Sequence, residues 1–251
     1  MKGIGMASAF RTLTVLPFPG KECEHLETTL YWFPLVGLVL GGLVFGMAWL
    51  MFPVGYPLLS GVLGCAALAL LTRAFHLDGL ADTADGFGGG WTKARRLEIM
   101  KDSHTGAFGV VAVVCVLLMK AIALGGLASE TGCMWLLTIP LLSRALIVFQ
   151  TVVNPYARPQ GGTAAVLVNE AKARHLLATL AQVALFAWLI SSRVPLSDIA
   201  IVLGVGLLVT AAVGFISRRM IGGVTGDVLG ATCELAETAM FVAAVILLGL
   251  K

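Results

Sequence analysis

The stretch FPLVGLVLGGLVFGMAWLMF, residues 33–52, contains no charged residue. An α-helix of about 20 apolar residues is long enough to cross the roughly 30 Å hydrocarbon core of a membrane. The composition agrees, since 58% of the chain is hydrophobic and only 12% is charged, whereas about a quarter of a soluble domain is charged. The stretch therefore predicts an integral membrane protein.

Further apolar stretches along the chain raise the prediction to about seven spans with loose boundaries. We expect spans near residues 33–52, 57–75, 106–127, 134–153, 176–192, 198–216 and 236–250. The fifth and the last are short, so either could be re-entrant. The predicted fold class is all-α, a polytopic transmembrane helix bundle, and residues 1–251 are treated as a single integral-membrane domain.

The positions of lysine and arginine predict the orientation, because short cytoplasmic loops of membrane proteins are rich in basic residues. With the N-terminus inside, the outer segments hold only Arg193 and Lys251. The long inner segments are residues 76–105, 154–175 and 217–235, and they carry most of the polar chemistry. We therefore expect cytoplasmic functional loops, with an interfacial helix near the N-terminus.

The cysteines and the net charge argue against two other kinds of site. The five cysteines are scattered without metal-ligand or disulfide spacing, so we expect free thiols and no zinc. The net charge of +3 follows from the basic inner loops. It gives no indication of nucleic-acid binding.

An acidic motif, HLDGLADTADGFGGG, occupies residues 76–90. Asp78, Asp82 and Asp85 share one face if the second span continues as a helix to about Asp85, with GFGGG ending it. Stacked like charges repel, and carboxylate oxygens are the ligands that Mg²⁺ prefers. The motif predicts a magnesium site, and the alternative is a solvated helix end without a function.

The segment MKDSHTGAFG, residues 100–109, precedes the third span. Small donors and glycine at the start of a helix favour binding of an anion such as phosphate. Lys101, Ser103 and His104 are candidate ligand contacts on this basis. Helix capping explains Ser103 equally well, and an ordinary loop position explains His104.

The segment RRMIGGVTGDVLGATCELAE, residues 218–237, repeats the acidic pattern. A helix starting near Gly226 gathers Asp227, Glu234 and Glu237 on roughly one face, although surface helices also carry such acids. The loop GGVTG before it is rich in backbone donors. Further upstream, Arg158 in a Pro/Gly-flanked loop could meet a phosphate or could be an ordinary inside charge.

Two basic residues fall inside predicted spans. Arg144 is near the middle of the fourth span, where an ionisable residue indicates a functional site unless an intramembrane hydrogen bond alone holds it. Lys120 is near the outer end of the third span, so we expect its side chain to snorkel to the interface.

These parts together suit metal-assisted transfer at a pyrophosphate, with aspartate-bound divalent ions bridging the diphosphate. The same pattern fits a CDP-alcohol phosphotransferase or a prenyltransferase. A transporter or channel that uses Arg144 and the acidic helix ends is the alternative from another class. A structural membrane subunit is the remaining one.

Motifs along nearly the whole chain resemble those of the cobalamin synthase family, the adenosylcobinamide-GDP ribazoletransferases. They are TVLPFP (14–19), YWFPLVG (31–37), HLDGLADTADG (76–86), MKDSHTGAFG (100–109) and GGVTGDVLGATCELAE (222–237). The resemblance implies a bacterial inner-membrane enzyme that uses Mg²⁺. It implies that a ribose hydroxyl of α-ribazole, or of its 5′-phosphate, attacks the cobinamide-linked phosphorus of adenosylcobinamide-GDP, and GMP leaves.

The resemblance also suggests roles for individual residues. The implied Mg²⁺ ligands are Asp78, Asp82, Asp85, Asp227 and Glu234. The implied phosphate or substrate contacts are Lys101, Ser103, His104, Arg144, Arg158 and Thr225. Asp82 or His76 would accept the ribose proton. The expected partners are the two substrates and membrane lipid but no nucleic acid, and homo-oligomer formation stays open.

Overall fold

The structure, a computed structural model, describes residues 4–20, 23–129, 131–162 and 164–250. In these ranges the chain forms helices and no β-strand. The helices are α1 (Ile4–Leu13), α2 (Phe33–Met51), α3 (Pro57–Leu71), α4 (Phe75–Gly89), α5 (Lys93–Ile99), α6 (Ala107–Leu127), α7 (Cys133–Val153), α8 (Ala165–Glu170), α9 (Ala173–Ile190), α10 (Leu196–Ile221) and α11 (Gly226–Gly249). Two 3₁₀ segments, Leu26–Trp32 and Phe52–Val54, flank α2.

Most of these helices suit a membrane environment. Among the described residues, 6 helical segments are long and apolar enough to cross a membrane, and 7 are reached if α3 and α4 count as one bent span. Large apolar side chains cover the outside of the bundle, including Trp49, Leu58, Ile122 and Leu208. Lipid is the solvent that such a surface requires. The prediction of an all-α, polytopic membrane bundle is confirmed.

Two helix ends differ from the predicted spans. α10 continues to Ile221 and ends at Gly222, whose φ of 84° is left-handed. α11 begins at Gly226, ten residues before the predicted start at 236 but where the acidic spacing placed a helix start. A search by hydropathy misses such helix ends, because polar residues at a helix terminus lower the mean hydropathy of the stretch that contains them.

The second predicted span is broken at Thr72–Ala74. Arg73 and Ala74 both have left-handed backbone angles, with φ of 55° and 53°, and α3 and α4 meet at 88°. The prediction of one continuous helix to Asp85 is therefore wrong. The helix does end within GFGGG as predicted, because α4 stops at Gly89 and Gly90 is its C-cap.

The bundle packs closely through small residues. A Cβ added at Gly37 of α2 would collide with the carbonyl oxygen of Pro140 in α7. The backbones of the two helices are therefore too close for any residue but glycine at position 37. Close approach of this kind is typical of helices in lipid, where packing replaces the hydrophobic effect as the force between helices.

The three long polar segments lie together at one end of the bundle, which we call the motif end (residues 72–106, 154–162, 164–172 and 222–225). Long-range contacts establish this: the Arg96 guanidinium donates to Met220 O at 3.1 Å, and a Cβ at Gly79 would lie 2.7 Å from Asp227 O. The connections described at 53–56, 128–129, 131–132 and 191–195 lie at the opposite end. Consecutive spans thus alternate in direction, as the predicted topology required.

Candidate active site

The loop after α7 is fixed to the start of α11 by a short backbone bridge. Ala157 N donates to Val224 O at 2.9 Å, and Val224 N donates to Pro155 O at 2.8 Å. This bridge brings Arg158 beside α11, where its Nη2 lies 2.8 Å from Asp227 Oδ2. Two segments far apart in sequence thereby form one wall of the candidate site.

Thr225 caps the N-terminus of α11. Its hydroxyl accepts a hydrogen bond from Val228 N at 3.3 Å, as an N-cap does, and lies 3.1 Å from Asp227 Oδ2. Asp227 Oδ2 therefore accepts hydrogen bonds from both the Thr225 hydroxyl and the Arg158 guanidinium. In the structure Thr225 positions Asp227.

α4 passes across the first turn of α11 and supplies two more acids, Asp78 and Asp82. The crossing is close because residue 79 is glycine, and a Cβ there would lie 2.7 Å from Asp227 O and 2.9 Å from Asp227 Cα. Asp78, one residue before Gly79, and Asp82, one turn after Asp78, therefore face the start of α11. The spacing predicted that Asp78 and Asp82 share a face, and α11 adds Asp227 to them.

Electrostatic repulsion among these acids is strong at Asp82. α4 lies across the ends of the spans, and Asp82 is half-buried there. Burial and the carboxylates of Asp227 and Asp78 raise the pKa of Asp82 to about 7, although the Arg158 guanidinium opposes them. A cation bound between the acids would relieve this repulsion.

Replacement of Gly79 by alanine tests how much the close crossing matters. We expect Gly79→Ala to force α4 away from α11, because the new methyl group meets backbone atoms of Asp227 that cannot rotate aside. The separated acids should lower turnover by about 100-fold, the size expected for a displacement near 1 Å. Steady-state product formation measures this, and Gly46→Ala, where no atom lies within 4 Å of the new Cβ, is the matched control. Equal rates for the two variants would contradict the argument.

Asp85 belongs to a different contact. Its carboxylate oxygens accept hydrogen bonds from Gly106 N at 2.7 Å and Gly109 N at 2.9 Å, and the residue is only 7% exposed. Two backbone donors at the start of the third span, Gly106 N and Gly109 N, are thus occupied by the protein's own carboxylate, and the prediction of a phosphate contact in this segment stays a prediction for its exposed side chains. The proposed metal site does not include Asp85.

Glu234 and Glu237 lie deeper in the bundle. Lys120 Nζ donates to Glu234 Oε2 at 2.5 Å and to Glu237 Oε1 at 2.9 Å, while Arg144 and the Ser143 hydroxyl bind Glu237 Oε2. At about 1.5 Å per residue, Glu234 is roughly 10 Å along α11 from Asp227. We call these five residues the buried ion network.

The buried ion network changes three expectations. Lys120 is only 2% exposed, so the expectation that it snorkels to the interface is wrong. Arg144 is 1% exposed and ion-paired with Glu237, which leaves it no surface for a substrate. The proposed active site therefore includes neither Arg144 nor Glu234.

The remaining candidates divide by exposure. His76 is 2% exposed, and its Nδ1 is buried without a hydrogen-bond partner in the described structure. Lys101, Ser103 and His104 are exposed at the motif end. His104 Nδ1 lies 2.7 Å from Asp102 Oδ1, and this hydrogen bond lowers the pKa of Asp102.

The described residues contain no group of three or more His, Cys, Asp or Glu side chains that could hold a metal ion on their own. Mg²⁺ in proteins is often bound through one or two carboxylates together with substrate phosphates and water. Asp78 and Asp227 carry carboxylate oxygens of that kind, and Asp82 lies close to both. Burial and the two neighbouring carboxylates disfavour the charge on Asp82, and a nearby cation would favour it.

Comparison with known proteins decides the family. The model of the cobalamin-5-phosphate synthase family matches residues 5–245. This chain belongs to the cobalamin-5-phosphate synthase family. The predicted resemblance is confirmed, and it extends over almost the whole chain.

Relatives of this cobalamin-5-phosphate synthase family member carry one name. An adenosylcobinamide-GDP ribazoletransferase of Chlorobaculum parvum is 45% identical over 98% of this chain and 97% of its own length. Those of Chlorobaculum tepidum and Syntrophobacter fumaroxidans are 44% and 41% identical, each over 96% of this chain and over 94% and 96% of their own lengths. No solved structure matches the chain.

Sequence reasoning missed one part of this family member's motif end. A groove of about 500 Å³ lies between α5 and the loop that carries Arg158. Lys93 and Gln160 line it together with Lys101. The only signal in the sequence was the basic run near residues 93–101, which the orientation of the spans already explained.

Proposed function

We propose that this protein is an adenosylcobinamide-GDP ribazoletransferase. A ribose hydroxyl of α-ribazole, or of its 5′-phosphate, attacks the cobinamide-linked phosphorus of adenosylcobinamide-GDP. The new ribose O–P bond forms as the bond to the bridging oxygen breaks, and GMP leaves. Family membership supports this transfer over the transporter and the structural subunit.

One observation carries the chemical part of the proposal: Asp82 lies beside Asp78 and Asp227, next to Arg158, at the end of the bundle where the polar segments meet. Asp78 and Asp227 would hold Mg²⁺. The ion would neutralise the diphosphate and the charge that develops on the leaving phosphate. Arg158 would keep the Asp227 carboxylate in place and face the phosphates with its other guanidinium nitrogens.

Asp82 is the proposed general base. A base with a pKa near the working pH is the most effective, and burial with two neighbouring carboxylates brings Asp82 to about 7. The ribose proton would pass to an Asp82 carboxylate oxygen as the new bond forms. His76 has the right chemistry, but it is only 2% exposed and its backbone packs against Gly230 of α11, so a substrate hydroxyl has little access to it.

The motif end faces the cytoplasm of the bacterium in this proposal. Lys93, Arg95 and Lys101 are exposed at that end, and Arg193 lies at the opposite end. Basic residues stay on the cytoplasmic side of the inner membrane. Both soluble substrates would then reach the acids without crossing the bundle.

Release of GMP by the purified protein in lipid nanodiscs tests the function. We expect GMP only when adenosylcobinamide-GDP, α-ribazole and Mg²⁺ are all present, with release stopped by EDTA and restored by excess Mg²⁺. The rate should fall about tenfold per pH unit below the pKa of Asp82, because a general base must be ionised. Bound Mg²⁺ lowers that pKa, so the fall should begin below pH 7.

Two results would overturn the proposal. The first is an absence of GMP release from folded protein supplied with both substrates and Mg²⁺. The second is full turnover in EDTA, which would contradict the role proposed for Mg²⁺ but not the transfer reaction. A rate that rises as the pH falls would separately refute Asp82 as the base.

A further inference from the structure

The groove beside α5 has the size and the lining of a nucleotide site. Its volume is about 500 Å³, and its walls include Lys93, Leu97, Glu98, Lys101, Arg158 and Gln160. Ligand sites for small molecules and cofactors usually measure about 300–1,000 Å³. A nucleoside monophosphate fits such a groove, whereas a corrinoid with its side chains is far too large for it.

The charge of the groove is positive and unbalanced. Arg158 is paired with Asp227 at 2.8 Å and Glu98 with Arg95 at 2.9 Å, so the excess positive charge is that of Lys93 and Lys101. Neither lysine makes an ion pair within the described ranges. Arg158 Nε is buried, and no hydrogen-bond partner for it exists in that part of the chain. An anionic ligand would satisfy these groups.

Arg158 joins the groove to the three acids. Its Nη2 binds Asp227, while the same side chain lines the groove. A diphosphate bound at Asp78 and Asp227 would therefore have one of its two ends directed into the groove. The other end would then lie outside the groove.

We infer that this groove binds the guanylate half of the diphosphate substrate and releases it as GMP, an inference that rests on the proposed function. Lys101 and Lys93 neutralise the phosphate that becomes the leaving group. The bond to the bridging oxygen breaks toward the groove, and the ribose proton stays on Asp82. The corrinoid half remains outside the groove.

Glu98 gives the groove a preference for guanine. The Watson–Crick edge of guanine presents two neighbouring N–H donors, and a carboxylate accepts both. Adenine presents a ring-nitrogen acceptor there, which a carboxylate repels. Glu98 keeps enough lone pairs to bind Arg95 as well, and Leu97 offers an apolar flank to the ring.

Binding of GMP to the full-length protein in nanodiscs tests the inference without turnover. Calorimetry with GMP alone should give a Kd that rises at least about tenfold in Lys101→Gln and in Lys93→Gln, a loss of about 1.4 kcal/mol. The KM for α-ribazole should stay within about twofold in both lysine variants, since ribazole binds elsewhere. Arg174→Gln, which removes one positive charge from an exposed side chain outside the groove, is the control.

A second test concerns the base. Glu98→Gln should reduce the preference for GMP over AMP at least about tenfold.

The outcomes separate this inference from the function. Product formation together with an unchanged GMP affinity in both lysine variants would refute the groove and leave the transferase standing. GMP binding that depends on both lysines, with no product under any condition, would support the groove as a guanylate site and refute the proposed reaction. All three residues are exposed, so equal thermal unfolding of the variants is expected and excludes misfolding as the cause.

Discussion

Asp82→Asn should abolish ribazole transfer while leaving Mg²⁺ binding largely intact. The amide keeps the shape of the side chain but accepts no proton at neutral pH, so turnover should fall by about 10²–10⁴, the usual contribution of a general base. GMP release at saturating substrates measures the fall. Mg²⁺ titration of the same protein measures what remains of the metal site.

Variants of the other two acids provide the contrast. Asp78→Asn and Asp227→Asn should raise the Mg²⁺ concentration needed for half-maximal rate, and excess Mg²⁺ should recover part of the activity. Glu170→Gln removes an exposed acid of α8 at the same end and should leave both quantities unchanged. If Asp82→Asn retains full Mg²⁺-dependent turnover, Asp82 is neither base nor essential ligand.

Glu237→Gln should produce the largest loss of stability. Glu237 is 1% exposed, and its oxygens bind Lys120, Ser143 and Arg144. Without its charge, Arg144 is left as an uncompensated cation inside the bundle, which costs about 3–5 kcal/mol. Thermal unfolding in detergent, followed by loss of helical signal, should show a much lower midpoint than the wild-type protein or Glu170→Gln.

A double variant isolates the cause of that loss. Removing the cation as well, in Glu237→Gln with Arg144→Met, should recover part of the lost stability because no unpaired guanidinium remains. Additive losses in the double variant would mean that the two residues do not stabilise each other. Activity should follow stability in these variants, since the network lies about 10 Å or more along α11 from Asp227.

The sequence could predict the parts of this fold that depend on local pattern. Apolar runs located the spans, and the i, i+4 spacing placed Asp78 and Asp82 on one face. The spacing of Asp227, Glu234 and Glu237 placed the start of α11 near Gly226. The basic residues predicted alternation of the spans. Each of these follows from neighbours within a few turns of helix.

The remaining features depend on residues that are distant in the chain. Nothing local predicts that Arg73 and Ala74, neither of them glycine, take left-handed angles, so the bend between α3 and α4 was missed. Asp85 and Gly109 are 24 positions apart, and Lys120 and Glu237 are 117 apart. Charged residues in a membrane span form ion pairs with residues on other helices, and these pairs form only when the helices pack. The identity of a charged residue alone therefore does not predict its partner.

The attachment of α4 at both ends restricts how the chain can vary in length. The bend at Thr72–Ala74 fixes one end, and the hydrogen bonds from Asp85 to the start of α6 fix the other. One residue added or removed between Gly79 and Asp85 would turn one end of the helix by about 100° relative to the other, because a helix has 3.6 residues per turn. Either Asp82 would leave α11 or Asp85 would leave α6. This segment can therefore accept substitutions far more readily than insertions or deletions.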